Sequence, residues 1–150
     1  MDRRDRVREN AAAEINARID AETAARVRDY AARDLPEITA RIAELDREWD
    51  VERVLETNAA GLALAGLALG VTRDRRWLLL PAVVLPFLLQ HALQGWCPPI
   101  EIFRRLGVRT RREIDREKVA LKALRGDFGL VMGGSTPQEQ AKLALSAAED

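Results

Sequence analysis

Cys97 is the only cysteine and His91 the only histidine in this chain of 150 residues. A thiol can attack an electrophile, carry sulfur or close a disulfide between subunits. An imidazole can move a proton or ligate a metal. Neither residue has company for such chemistry. No second cysteine stands by to resolve Cys97, so no internal disulfide is possible, and no further histidine activates it. A haem or metal at His91 needs a second ligand from another subunit. Asp127-Phe128-Gly129 matches a kinase tripeptide, but no Gly-rich phosphate loop or His-Arg-Asp loop accompanies it. Walker, HExxH and CxxC patterns are missing too. The sequence thus predicts no enzyme, no catalytic residue, no cofactor and no metal. Cys97 is left as the one candidate reactive thiol, with tight packing as its other reading.

Both residues belong to a stretch that organises the chain. Residues 58–71 and 77–97 are two apolar runs, joined by the basic turn Thr72-Arg73-Asp74-Arg75-Arg76. The second run carries no fixed charge and is long enough to cross a bilayer. Trp77 and Trp96 bracket it, as interfacial aromatics do. Pro81 and Pro86 harm a soluble helix but are tolerated in membrane helices. The first run is short, about 21 Å of helix against a core of about 30 Å. The predicted fold is all-α: a two-helix transmembrane hairpin flanked by amphipathic cytoplasmic helices. A soluble all-α oligomer burying both runs is the alternative.

Within the first run, Gly61, Ala65, Gly66 and Gly70 offer small residues at about four-residue spacing for close helix packing. On that basis Gly66→Leu should weaken self-association. Asn58, Gln90, His91 and Gln94 are the polar groups placed inside the membrane, where they are costly and invite a functional question. Antiparallel pairing about the turn sets residues 58 and 94 at one depth. Asn58 and Gln94 are then positioned to hydrogen-bond, with His91 on the same face.

The flanks are charged and helical in pattern. Residues 2–33 carry a thin stripe of Val7, Ile15, Ile19, Val27 and Tyr30. Asp34-Leu35-Pro36-Glu37 reads as a capped helix start, followed by Ile38, Ile42, Leu45 and Trp49 at heptad-like steps. After Cys97-Pro98-Pro99, a short interfacial helix is expected with Ile100, Phe103 and Leu106. Thr110-Arg-Arg-Glu113 reads as another capping box, opening a helix with Ile114, Leu121 and Leu124 on one side. Gly126 closes it, and Thr136-Pro137 begins a last short helix. The expected organisation is residues 1–54 as cytoplasmic helices, 55–110 as the membrane portion, and 111–150 as a cytoplasmic tail.

Charge is partitioned but balanced. Residues 1–57 carry a net −4, and residues 58–97 and 98–150 carry +2 each, so the total is zero and gives no field for nucleic acid. Arg104, Arg105, Arg109, Arg111 and Arg112 form the one dense basic patch, directly after the second run, where anionic headgroups would lie. Arginines outnumber those of the turn in the outer flanks, which predicts both termini in the cytoplasm. No cleavable signal peptide opens the chain, so insertion falls to the internal runs.

At Gly95-Trp96-Cys97-Pro98 the chain resembles the YgaP-like inner-membrane domain, a small bacterial two-helix hairpin. Gly61, Gly66 and Gly70 fit that family's Gly-rich first span, and Leu106-Gly107-Val108-Arg109-Thr110 fits its closing stretch. The likeness covers about residues 55–110. Its spacing from Cys97 to Leu106 is longer, and its second span holds more Pro and polar residues. The resemblance implies a bacterial inner-membrane hairpin with cytoplasmic termini, able to dimerise, with Cys97 as the family's cysteine. Some relatives fuse the hairpin to a rhodanese; here only charged helices stand in its place. The expected function is therefore a membrane anchor and oligomerising scaffold, a dimer by preference, whose cytoplasmic helices, Ile38 to Trp49 above all, meet a protein partner. The runner-up is sulfur handling at Cys97 with a partner sulfurtransferase.

Overall fold

The structure, a computed structural model, describes residues 5–129. The last helix expected from Thr136 lies outside the described residues. All regular structure among the described residues is helical: α1 (Arg6–Asn10), α2 (Ala13–Tyr30), α3 (Leu35–Arg47), α4 (Val51–Thr72), a 3₁₀ turn (Arg75–Leu78), α5 (Leu79–Gln94), α6 (Pro98–Arg105) and α7 (Arg111–Arg125). Two compact units form. One takes residues 5–20 and 49–113, the other residues 21–48 and 114–129.

In the first unit, α4 and α5 lie against each other. Asp50 starts α4 by accepting from Arg53 N at 2.8 Å, so the helix begins seven residues before the apolar run. Twenty-two residues make about 33 Å, so the helix itself is long enough, although the turns added before the apolar run carry Glu52, Arg53 and Glu56. Its inner edge is Leu55, Ala59, Ala63, Gly66 and Gly70. A Cβ on Gly66 would lie 2.5 Å from Pro81 Cδ, and one on Gly70 2.5 Å from Leu78 Cδ2. The two glycines therefore let α4 and the start of α5 touch backbone to side chain. Pro81 falls in the first turn of α5, where a missing N–H costs little. Over α5 only Pro81 and His91 are buried. Leu64, Leu79, Leu89 and Leu93 point outward, Leu64 with 67% of its surface exposed.

The small core of this unit is Val7, Val51, Leu55, Cys97 and Ile100. The N-terminal stripe does not run as one helix. It breaks after α1, where Ala11 is extended, and Asn16 Nδ2 donates to the Arg8 carbonyl at 2.8 Å.

The second unit packs Ile38, Ile42 and Leu45 of α3 on Ile114 and Leu121 of α7, with Tyr30 at the edge. Asp34 caps α3 by accepting from Glu37 N at 3.0 Å. The Glu37 carboxylate turns to Arg33, at 3.7 Å, in place of the reciprocal bond. Inside this unit Glu117 is fully buried and accepts from Arg26 Nε at 3.1 Å and Arg41 Nη2 at 3.0 Å.

Candidate functional site

The corner after α5 gathers the residues singled out in the sequence. Gly95 ends α5 with φ 73, a left-handed conformation that suits glycine. A Cβ there would also run into Arg6 of α1. Arg6 Nη1 in turn donates to the Leu93 carbonyl at 3.1 Å, one of the unsatisfied acceptors at the end of α5. Cys97 is the first residue past this turn to face inward. It precedes α6, has 0% exposure and sits in the apolar core, and Pro98 follows at the first helical position. Burial pushes the thiol above its usual range, with an Ile100 backbone bond opposing. A buried, protonated thiol is a poor nucleophile. Gly-Trp-Cys-Pro thus reads in physical terms as a left-handed turn, an exposed aromatic, a buried core atom and a helix start.

Beside this corner lies an ion cluster that the sequence does not announce. Glu113 accepts from Arg104 Nη1 at 2.6 Å, Arg104 Nη2 at 2.8 Å, Arg8 Nη1 at 2.7 Å and the Thr110 N–H at 2.8 Å. Arg104 also reaches Asn16 Oδ1 at 2.7 Å and the Val108 carbonyl at 3.2 Å. Arg8 pairs with Asp20, and Thr110 Oγ1 donates to Asp5 Oδ2 at 2.5 Å. Burial alone would raise the Glu113 carboxyl. Arg104, the Thr110 N–H and Arg8 outweigh it and hold Glu113 below its usual range. The predicted capping box at Thr110 and Glu113 is the seed of this cluster, since the same carboxylate caps α7 and receives two guanidinium groups.

Several expectations are corrected here. Arg104 is not at a headgroup: it is 0% exposed and locked on Glu113. Arg109 is buried as well, and its carbonyl accepts from Val51 N at 2.9 Å. Arg105, Arg111 and Arg112 remain exposed. Asn58 does not meet Gln94. Its amide donates to the Val54 carbonyl at 2.8 Å, and Gln94 lies near Gln90 at 3.5 Å. The reason is register. α4 runs on to Thr72, and the 3₁₀ turn starts at Arg75, so Gly70 meets Leu78 and Gly66 meets Pro81. Asn58 then shares a cavity with Leu88, and Gln94 lies more than a turn beyond. His91 is buried, with no hydrogen-bond partner at Nδ1 among the described residues.

The small residues separate. Gly66 and Gly70 are used within the chain, whereas Gly61 and Ala65 are exposed, with open space at Gly61. Gly66→Leu therefore strikes the packing of α4 on α5 before any contact between chains. Ile38, Ile42 and Leu45 are turned into the second unit, so they form no free interaction surface, and only Trp49 of that stripe is exposed. Among the described residues, no group of three or more His, Cys, Asp and Glu side chains is placed to hold a metal ion.

No family model, curated protein or solved structure matches this chain. Two stretches are long and apolar enough to cross a membrane, one ending at Thr72 and the other spanning Arg75–Gln94.

Proposed function

We propose that this chain is a non-enzymatic bacterial inner-membrane protein, an anchor and oligomerising scaffold, with α4 and α5 as a transmembrane hairpin and both termini in the cytoplasm. One observation carries the reading. Only 11% of the apolar window at Arg75–Gln94 and 28% of that ending at Thr72 is buried, whereas a core helix of a soluble protein is mostly covered. The large side chains Leu62, Leu67, Val71, Val83, Leu85 and Leu93 stand exposed along both helices. In water such a surface is an aggregation liability; in hydrocarbon it costs nothing. Trp49 precedes α4 and Trp96 follows α5, with Trp77 in the turn at the opposite end, and all three are exposed. That is the placement of interfacial tryptophans. Arg53 stacks on Trp49 at 4.4 Å from the ring centroid.

Buried packing of Cys97 favours the anchor over sulfur handling. The resemblance to the YgaP-like domain rests on the same corner, where Gly95 makes the turn and Cys97 fills the core. The cytoplasmic helices are self-packed in their unit, so a protein partner meets their outer, charged faces. Alkaline carbonate extraction of native membranes tests the reading: the chain stays in the pellet, and release into the supernatant refutes it. Cys97→Ser separates anchor from sulfur chemistry. Insertion and assembly persist in the variant, and a sulfur-dependent phenotype lost with them intact overturns the anchor.

A further inference from the structure

We propose that the cavity between α4, α5 and α6 seats one acyl chain of a bilayer phospholipid. This rests on the reading that α4 and α5 cross the membrane, and it gives that anchor a specific lipid seat. The cavity measures about 170 Å³ and is walled by Leu55, Ala59 and Leu62 of α4, Phe87 and Leu88 of α5, and Phe103 of α6. Its polar rim is slight. Asn58 gives its amide to its own helix, and Cys97 contributes a buried thiol. The space is apolar and open on one side, and since an apolar cavity of about 150 Å³ takes a benzene, this one holds about six carbons.

Shape and continuity select a hydrocarbon chain. The α4 wall runs from Leu55 to Leu62, about 10 Å along the helix axis, with small Ala59 as the floor between them. That is a furrow for a linear guest. Two walls, Leu62 and Phe87, also belong to the exposed apolar surface of α4 and α5. The cavity is therefore continuous with the surface that hydrocarbon would already cover. A chain entering from the bilayer leaves no water behind and exposes no polar group. The site holds a segment of one chain, about six carbons, and is too small for a helix of a second copy.

The test uses the full chain reconstituted in phosphatidylethanolamine–phosphatidylglycerol vesicles that contain a phospholipid with a photoactivatable acyl chain. Peptide mass spectrometry maps the label. The expected result is label concentrated on Leu62, Phe87 and Phe103. Ala59→Leu, which fills the furrow, loses that label while keeping its carbonate-resistant insertion. Leu64→Trp, on an exposed position, keeps it. Even labelling of Leu64 and Leu89 together with the cavity walls, unchanged by Ala59→Leu, overturns the seat and leaves the membrane reading intact. Photocrosslinks to a second copy from a benzophenone side chain placed at position 87, lost in Ala59→Leu, overturn it in favour of a side chain from another protomer. A chain freed by carbonate fails at the earlier step, the membrane reading itself.

Discussion

Glu113 is the most consequential single side chain outside the apolar helices. It compensates Arg104, which has no exposure to water, and it caps α7. Removing one partner of a buried pair strands the other charge, at a cost of about 3–5 kcal/mol. Glu113→Gln should therefore lower the thermal midpoint of the detergent-solubilised chain, followed by circular dichroism, far more than Arg105→Ala, whose ion pair with Glu101 is exposed. The variant also tests pH dependence. Glu113 titrates below its ordinary value of 4.5 in the folded chain. Its stabilisation is then complete above that ordinary value and is lost as pH falls through the depressed folded one. The wild-type chain loses midpoint over that acid range, and Glu113→Gln loses less. An equal slope in both chains would locate the acid sensitivity elsewhere. His91 gives the opposite sign. Its buried Nδ1 has no partner among the described residues, so His91→Leu should be neutral or stabilising by about 1 kcal/mol. A lowered midpoint in that variant would mean the imidazole makes a bond that matters.

Elements are legible in the sequence where a local rule decides them. Asp34 and the Thr110–Glu113 box mark helix starts because a side-chain acceptor must meet orphaned N–H groups within three residues. Ile38, Ile42 and Leu45 are recognisable as a packing stripe, but nothing local says that Ile114 and Leu121 are what they pack on. The break between α1 and α2 is invisible in an Ala-rich run, and the bond that spans it, from Asn16 to the Arg8 carbonyl, has no local sequence signature. Register is hidden for the same reason: a difference of a few residues in where the turn begins moves Asn58 from Gln94 to Leu88. The place of Arg104 is hidden too, because its partner is set by tertiary contact, and an arginine reads as surface until a carboxylate is found for it. Gly66 and Gly70 yield a prediction at this scale. A Cβ at Gly66 meets Pro81 of α5 at 2.5 Å, and one at Gly70 meets Leu78 of the 3₁₀ turn at 2.5 Å, so Gly66→Leu or Gly70→Leu should pry α4 from the start of the second arm. Gly61→Leu meets open space and should not. Cysteine pairs placed at 63 and 84 in a Cys97→Ser background would report the separation by crosslinking yield. Equal yields for Gly66→Leu and Gly61→Leu would reject the seam.

For the whole molecule the charge pattern is the argument for the proposed direction across the membrane. The turn carries Arg73, Arg75 and Arg76 beside Asp74, while the outer flanks carry more arginines close to the apolar helices. The positive-inside rule counts the arginines that flank the spans in the sequence. The later burial of Arg104 and Arg109 therefore does not remove them from the count. The proposed topology keeps both flanks on the cytoplasmic side and sends the turn, with Trp77, across. Arg75→Cys in a Cys97→Ser chain should react with a membrane-impermeant maleimide added to intact cells, whereas Arg105→Cys should react only after the membrane is opened. The reverse pattern would invert the topology while leaving the two spans in place. Labelling of both cysteines in intact cells would mean that the apolar helices do not divide the chain across a bilayer. The exposed faces of α4 and α5 would then need a covering of protein in place of lipid.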